Sequence, residues 1–332
     1  MFKQGKTIMK SSRSRVNLVL DLAPILLLII LLLVFGVVDN RIVSLNNLNI
    51  IMLQATSVAL MGLGLFWILL TGEIDLSAGH LVSFCAVTMG TLLSSGTGLA
   101  PALAIGFFAC LTFGFLNGLM VTVLKLPSFI ATLVTMLFLQ GATLMVAKTG
   151  TILVFNPLLR SFGAFTSSLW FPPTVVFVCL MALLCWWISR RTAFGLKTYA
   201  VGSSAERAEL AGISVKKQKI GVFVLSSVFV FLTATVFISR IPVVNPNVGG
   251  VSLLLDAIAA AVIGGTSLFG GRGSVGGVIC GALIISLLTA ALRILGVEPS
   301  SLDLYKGAII ICILLLDQSI NFARNHRKQV SQ

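Results

Sequence analysis

The chain has 332 residues, of which 57% are hydrophobic and only 10% charged, with a mean hydropathy of +1.07. A soluble domain carries about 25% charged residues, so this composition leaves no sizeable water-soluble domain and places the chain in a lipid bilayer. The net charge of +13, from 23 Lys and Arg against 10 Asp and Glu, sits in short gaps between apolar runs, where membrane topology explains it and no nucleic-acid partner is expected.

In chain order, a basic start (Lys3, Lys6, Lys10, Arg13, Arg15) leads into an apolar run at 18–38. That run is too long for a signal peptide and lacks a small-residue cleavage site before Asp39, so it is predicted to stay as an anchor. Further runs of roughly 20 residues follow at 48–70, 77–95, 99–123, 127–147, 170–188, 218–239, 252–267, 274–295 and 302–320. The expected fold is all-α: one polytopic transmembrane domain over 1–332 with about ten helices. The eighth run, 252–267, is short and opens with Asp256, which leaves a full crossing and a broken or re-entrant helix both open.

Two connections are longer than the rest. The stretch 148–169, with Asn156-Pro157 and Phe162-Gly163, is expected outside, folded down on the membrane surface. The stretch 190–217 is the most polar internal segment; Ser203 or Ser204 caps a short helix there and Gly212 ends it. With the amino terminus inside and alternating spans, 17 of the 23 Lys and Arg fall inside and 6 outside, so both termini are predicted to be cytoplasmic.

Small residues recur at four-residue spacing in Gly106, Cys110, Gly114 and Gly118, in Ala257, Ala261 and Gly265, and in Gly273, Gly277 and Gly281. Such faces let helix backbones approach closely in lipid. The six cysteines (Cys85, Cys110, Cys179, Cys185, Cys280, Cys312) all lie in apolar runs without a CxxC pair and read as packing residues.

Templates for chemistry are not met. Gly195-Leu196-Lys197-Thr198 keeps only the end of a phosphate-binding loop, so the chain is not expected to bind ATP itself. Gly271-Arg272-Gly273-Ser274-Val275-Gly276 fits G-x-G-x-x-G but follows no strand and reads as a glycine-rich turn. With only His80 and His326, no metal or cofactor is expected, and His326 falls in a basic tail. The charges near bilayer depth are Glu73, Asp75, Asp256 and Arg293; each costs at least ~2.5–3.5 kcal/mol to insert. Arg293 is expected to snorkel. Glu73 and Asp75 either cap the helix starting near Ser77 or face a pathway. Asp256 is either a helix cap or a pathway residue. Asn117, Ser128, Thr132, Thr135 and Gln140 either bond between helices or line a cavity.

Several runs together resemble a known family. They are Gly72-Glu73-Ile74-Asp75-Leu76-Ser77-Ala78-Gly79, Leu126-Pro127-Ser128-Phe129-Ile130-Ala131-Thr132-Leu133, Thr192-Ala193-Phe194-Gly195 with Ala200-Val201-Gly202, Ala211-Gly212-Ile213-Ser214-Val215, and Asp256 through Leu268 followed by Gly270-Gly271-Arg272-Gly273-Ser274. Over roughly residues 45 to 315 they look like the permease subunits of ABC importers for ribose, xylose, arabinose, galactose and related compounds. The resemblance implies a multi-pass bacterial inner-membrane protein that does no bond chemistry itself. Its implied partners are a cytoplasmic ATP-binding subunit, a periplasmic sugar-binding protein and a second permease copy, identical or paralogous.

Glu206-Arg207-Ala208 with Gly212 resembles the E-A-A-x-x-x-G coupling motif of such permeases, Arg207 standing where the motif has its middle alanine. The segment 190–217 would then be the coupling loop that touches the ATPase. Hydroxyl-rich solutes need hydrogen-bonding groups where lipid offers none, which selects Asp75, Ser77, Asn117, Ser128, Thr132, Asp256 and Thr266 as pathway or gate positions. The competing expectation is an ion- or proton-coupled secondary transporter, which would need a buried acidic or histidine relay.

Overall fold

Backbone groups in lipid must satisfy one another, and the apolar runs do so as helices. The computed structural model describes residues 23–148, 150–163 and 172–311. The basic amino-terminal residues, Cys312, His326 and the later part of the expected 302–320 span lie outside them. The elements in order are α1 (Ala23–Val38), α2 (Leu45–Leu70), α3 (Ala78–Ser94), α4 (Leu99–Thr122), α5 (Ser128–Ala147), β1 (Ile152–Leu153), α6 (Pro157–Gly163), α7 (Pro173–Arg191), α8 (Ala193–Ser203), α9 (Ala205–Leu210), α10 (Val215–Arg240), β2 (Val243–Val244), α11 (Gly250–Ile263) and α12 (Val275–Ile294). Residues 302–311 are also helical. Six helices among the described residues, α2, α4, α5, α7, α10 and α12, are long and apolar enough to cross a membrane, while α1, α3 and α11 are shorter.

Helix α2 occupies the interior of the bundle. From Ala55 to Leu70 every residue is buried, against α7, α10, α11 and α12. Helix α10 begins at Val215, earlier than the apolar run at 218, because Lys216, Lys217 and Gln218 form its polar first turn.

The connections gather at two ends. At one, β1 pairs antiparallel with β2, Ile152 opposite Val244 and Leu153 opposite Val243, while Gly163 of α6 lies against the backbone of Ser239 and Arg240. The stretch 148–169 is therefore partly a ribbon strand, a feature hydropathy does not reveal. At the other end, the 71–77 turn meets the start of α5, the 264–273 turn and α8.

The short eighth run is explained by its approach. A Cβ on Gly90 of α3 would face Val154 and Val244, whereas the amides of Gly249 and Gly250 donate to Ser83 Oγ at 2.9 and 3.1 Å. Gly250 also abuts Gly79. The non-helical segment after β2 thus runs along α3 from the level of Gly90 to that of Gly79, about 16 Å at the helical rise, before α11 begins. Helix α11 is consequently only 14 residues long.

Small residues make the closest helix contacts. Gly106 packs on Met89 and Cys85, Gly114 on Ser227 and Phe223, and Gly118 on Ile220. Helices α11 and α12 meet through Gly264 on Gly277 and Ala260 on Gly281. Gly265 does not join the Ala257 and Ala261 face: it has φ +85° and turns the chain after α11 ends.

Candidate functional site

The 71–77 turn leaves α2 at Leu70 and climbs back into the bundle to start α3. The amides of Thr71, Gly72 and Glu73 still reach the last carbonyls of α2, and beyond them side chains satisfy the backbone. Ser128 Oγ accepts the Ile74 amide at 3.2 Å, and Thr132 Oγ1 accepts the Leu76 amide at 3.0 Å. Asp75 Oδ1 accepts from both the amide and the hydroxyl of Ser77, at 2.8 and 2.6 Å. Asn117 Nδ2 donates to Ser77 Oγ at 2.8 Å, and Thr135 Oγ1 donates to Asn117 Oδ1 at 2.6 Å. The turn, α4 and α5 are joined into one polar cluster whose members Asp75, Ser77, Asn117, Ser128, Thr132 and Thr135 are all buried.

Five of the seven expected pathway positions therefore meet here, and Thr135 completes the set. Its sequence signal is its place on α5 one turn beyond Thr132 and two beyond Ser128, on the same face. Asn117 bridges two partners and is fully buried. Asn117→Ala removes both bonds, at about 0.5–1.5 kcal/mol each, while Ser77 keeps its bond to Asp75 and Thr135 its bond to Ala131 O. A thermal melt of the purified variant is expected to fall clearly below that of the wild type; an unchanged midpoint would contradict the network.

The other two positions lie elsewhere. Asp256 sits in the second turn of α11, past the helix start at Gly250, so it does not cap the helix. It pairs instead with Lys306 Nζ at 2.9 and 3.0 Å, and Lys306 also reaches Asp303 at 2.9 Å. Lys306, inside the apolar run expected at 302–320, is only 5% exposed. Thr266 lies in the 264–273 turn beside Phe66 and Gly273, buried, its hydroxyl without a partner among the described residues.

The polar segment forms two helices. Thr192 Oγ1 caps α8 by accepting the Gly195 amide at 3.2 Å. Ser204 Oγ caps α9 by accepting the Arg207 amide at 3.3 Å. Gly212 (φ +79°) ends α9, its amide donating to Glu209 O at 2.9 Å while the Ile213 amide reaches Ala208 O at 3.0 Å, a left-handed helix stop. Ala208 is buried with Val201 and Val215, whereas Glu206, Arg207, Glu209 and Gly212 are exposed and Leu210 is 84% exposed.

This pair of helices is fastened to the turn region. Gly202 lies so close to α2 that a Cβ would overlap the Leu70 carbonyl oxygen and crowd the Gly271 amide, which itself donates to Leu70 O at 2.9 Å. Tyr199 donates to Gly273 O at 3.0 Å. Burial raises its phenol above the ordinary value, which keeps the donor proton in place. Gln218 Nε2 of α10 donates to Phe194 O at 2.9 Å and Thr198 Oγ1 at 2.7 Å on α8. Finally, Glu73 of the turn forms an ion pair with Lys219 of α10. In the sequence Lys219 is the third lysine of a basic cluster with Lys216 and Lys217, and nothing local marks it off from them.

No group of three or more His, Cys, Asp and Glu suited to a metal ion occurs among the described residues. The chain is 33% identical over 307 residues to the fructose import permease protein of Rhizobium meliloti, covering 90% of this chain and 85% of that one. It is 32% identical over 299 residues to the ribose import permease protein of Bacillus subtilis (strain 168), covering 90% and 92%, and 31% identical over 310 residues to the permease protein of the autoinducer 2 import system of Yersinia pestis (strain Pestoides F), covering 92% and 87%. No solved structure matches. Residues 47–314 match the family described as the permease component of the branched-chain amino acid transport system, and with a match over most of its length the chain belongs to that family of transport permeases.

Proposed function

We propose that the chain is the transmembrane permease subunit of an ABC importer in a bacterial inner membrane, forming half of the pathway for a small polar solute, of which a monosaccharide is the best-supported class. Two of the three relatives named above are import permeases for fructose and ribose. The whole of 1–332 acts as one membrane domain of about ten helices, surrounded by lipid, with both termini cytoplasmic. The α8–α9 end faces the cytoplasm, in keeping with the excess of Lys and Arg expected on that side. A second permease copy supplies the other half of the pathway, a cytoplasmic ATP-binding subunit drives it, and a periplasmic binding protein delivers solute. The chain performs no bond chemistry and needs no cofactor.

The observation that carries this reading is the fastening of the exposed α9 surface, through α8 and α10, to the turn that holds Asp75. Glu206, Arg207 and Leu210 offer a contact for the ATPase, with Ala208 and Gly212 fixing the shape of the helix. Movement there biases an inward/outward equilibrium. The Asp75, Ser77, Asn117, Ser128 and Thr132 cluster is the inner gate, closed in this conformation because its members are buried. Asp256 and Thr266 line the neighbouring α11 side. Glu206→Lys is expected to leave insertion intact and to reduce ATP-driven uptake about tenfold or more, within the range of energetic coupling between sites. Wild-type solute uptake by that variant would argue against the contact.

A further inference from the structure

Building on the functional reading above, we infer that the Glu73–Lys219 ion pair is the tether that passes movement of the α8–α9 segment to the Asp75 gate, which makes both residues positioning residues for coupled transport. Of the four ion pairs among the described residues, it is the one at the α8–α9 end. Its side chains are largely shielded, with Glu73 14% and Lys219 20% exposed, so water screens the attraction far less than it would on an open surface.

Lys219 follows Gln218, which is bonded to the Phe194 carbonyl and the Thr198 hydroxyl of α8. Lys216 and Lys217 point to solvent, while Lys219 turns inward. On the other side of the pair, Glu73 is separated from Asp75 by a single residue, and the amides of Ile74 and Leu76 are held by Ser128 and Thr132. The line from α8 to the gate is therefore Thr198, Gln218, Lys219, Glu73 and Asp75, continuous in hydrogen bonds, an ion pair and short stretches of chain. A second route joins the same two places through backbone packing, from Gly202 to Leu70 and Gly271. The Gly202 packing in that route resists compression, because close contacts push, and the hydrogen bonds beside it, Tyr199 to Gly273 O and the Gly271 amide to Leu70 O, end on the 264–273 turn and on α2. The ion pair instead pulls directly on the 71–77 turn from the α8–α10 side: withdrawal of α8 draws Lys219, Glu73 and the turn with it.

The test uses the permease assembled with its ATP-binding subunit and solute-binding protein in proteoliposomes, with solute taken up per ATP hydrolysed as the readout. Glu73→Gln and Lys219→Gln are expected to keep ATP hydrolysis and to lose at least about fivefold in uptake per ATP, the low end of coupling between sites. The charge-swapped double variant, Glu73→Lys with Lys219→Glu, is expected to regain most of it. Unchanged uptake per ATP in the single variants, or a swap no better than they are, would overturn the tether. If the neutral variants fail to assemble, Glu73→Asp keeps the charge on a shorter arm and is expected to give an intermediate ratio; a wild-type ratio there overturns the inference. Wild-type uptake that ignores ATP would defeat the functional reading itself, whereas ATP-driven wild-type uptake with an unaffected Glu73→Gln ratio defeats only the tether.

Discussion

Replacing Gly202 with valine is expected to abolish uptake while the permease still inserts in the membrane and its ATPase partner still turns over. The backbone of Gly202 rests on the carbonyl of Leu70 with no room for a Cβ, and Leu70 is the last residue before the turn that carries Glu73 and Asp75. A valine there levers α8 off the end of α2 and opens the contact with Gly271. Overpacking of a rigid site costs typically about 1–3 kcal/mol, here concentrated on the joint between the α8–α9 segment and the turn that holds Asp75. Uptake should fall below detection, at least about a hundredfold given coupling of up to that order, with hydrolysis retained. Wild-type uptake by Gly202→Val would show that this joint carries no movement.

The second large effect concerns the fold. Gly281→Val is expected to prevent α11 from docking on α12, because a Cβ at Gly281 would overlap the Ala260 carbonyl oxygen. Both elements are backbone at that point, so neither yields by a rotamer change. A control lies on the same helix: Gly276 has nothing within 4 Å of a Cβ, and Gly276→Val should be tolerated. The amount of folded permease recovered by size-exclusion chromatography checks both. Equal recovery of the two variants would contradict the close-packed α11–α12 interface.

The architecture was legible in the sequence wherever length and apolarity coincide, as in α2, α4, α5 and α12, because lipid leaves an apolar segment little choice but a helix. Caps at Ser204 and Gly212 were legible for a local reason, since both act within a few residues of chain. Contacts across the chain were not. Asn117 and Ser77 are 40 residues apart, and each alone is only a polar side chain in or beside an apolar run; bringing them together takes the packing of α3, α4 and α5. A separation of 50 residues likewise hid the pairing of Asp256 with Lys306, so Asp256 read as either a helix cap or a pathway residue. The β1–β2 ribbon has two residues per strand, too short for any alternation to register. Gly202 stood out only as part of a motif, since nothing in its neighbours announces that Leu70 sits on top of it.

These pairings also bear on the choice of energy source. A proton-coupled carrier needs a carboxylate or imidazole that gains and loses protons along a path. Asp256 is held by Lys306, and Asp75 is engaged by Ser77 within a closed network. Each carboxylate is engaged by a partner in this conformation.

The most direct measurement is solute accumulation in proteoliposomes holding the permease, its ATP-binding subunit and a saturating solute-binding protein, with ATP supplied inside or withheld and with or without a protonophore. Accumulation that requires ATP and survives the protonophore is the predicted result. Accumulation that proceeds without ATP and collapses when the proton gradient is discharged would contradict the account.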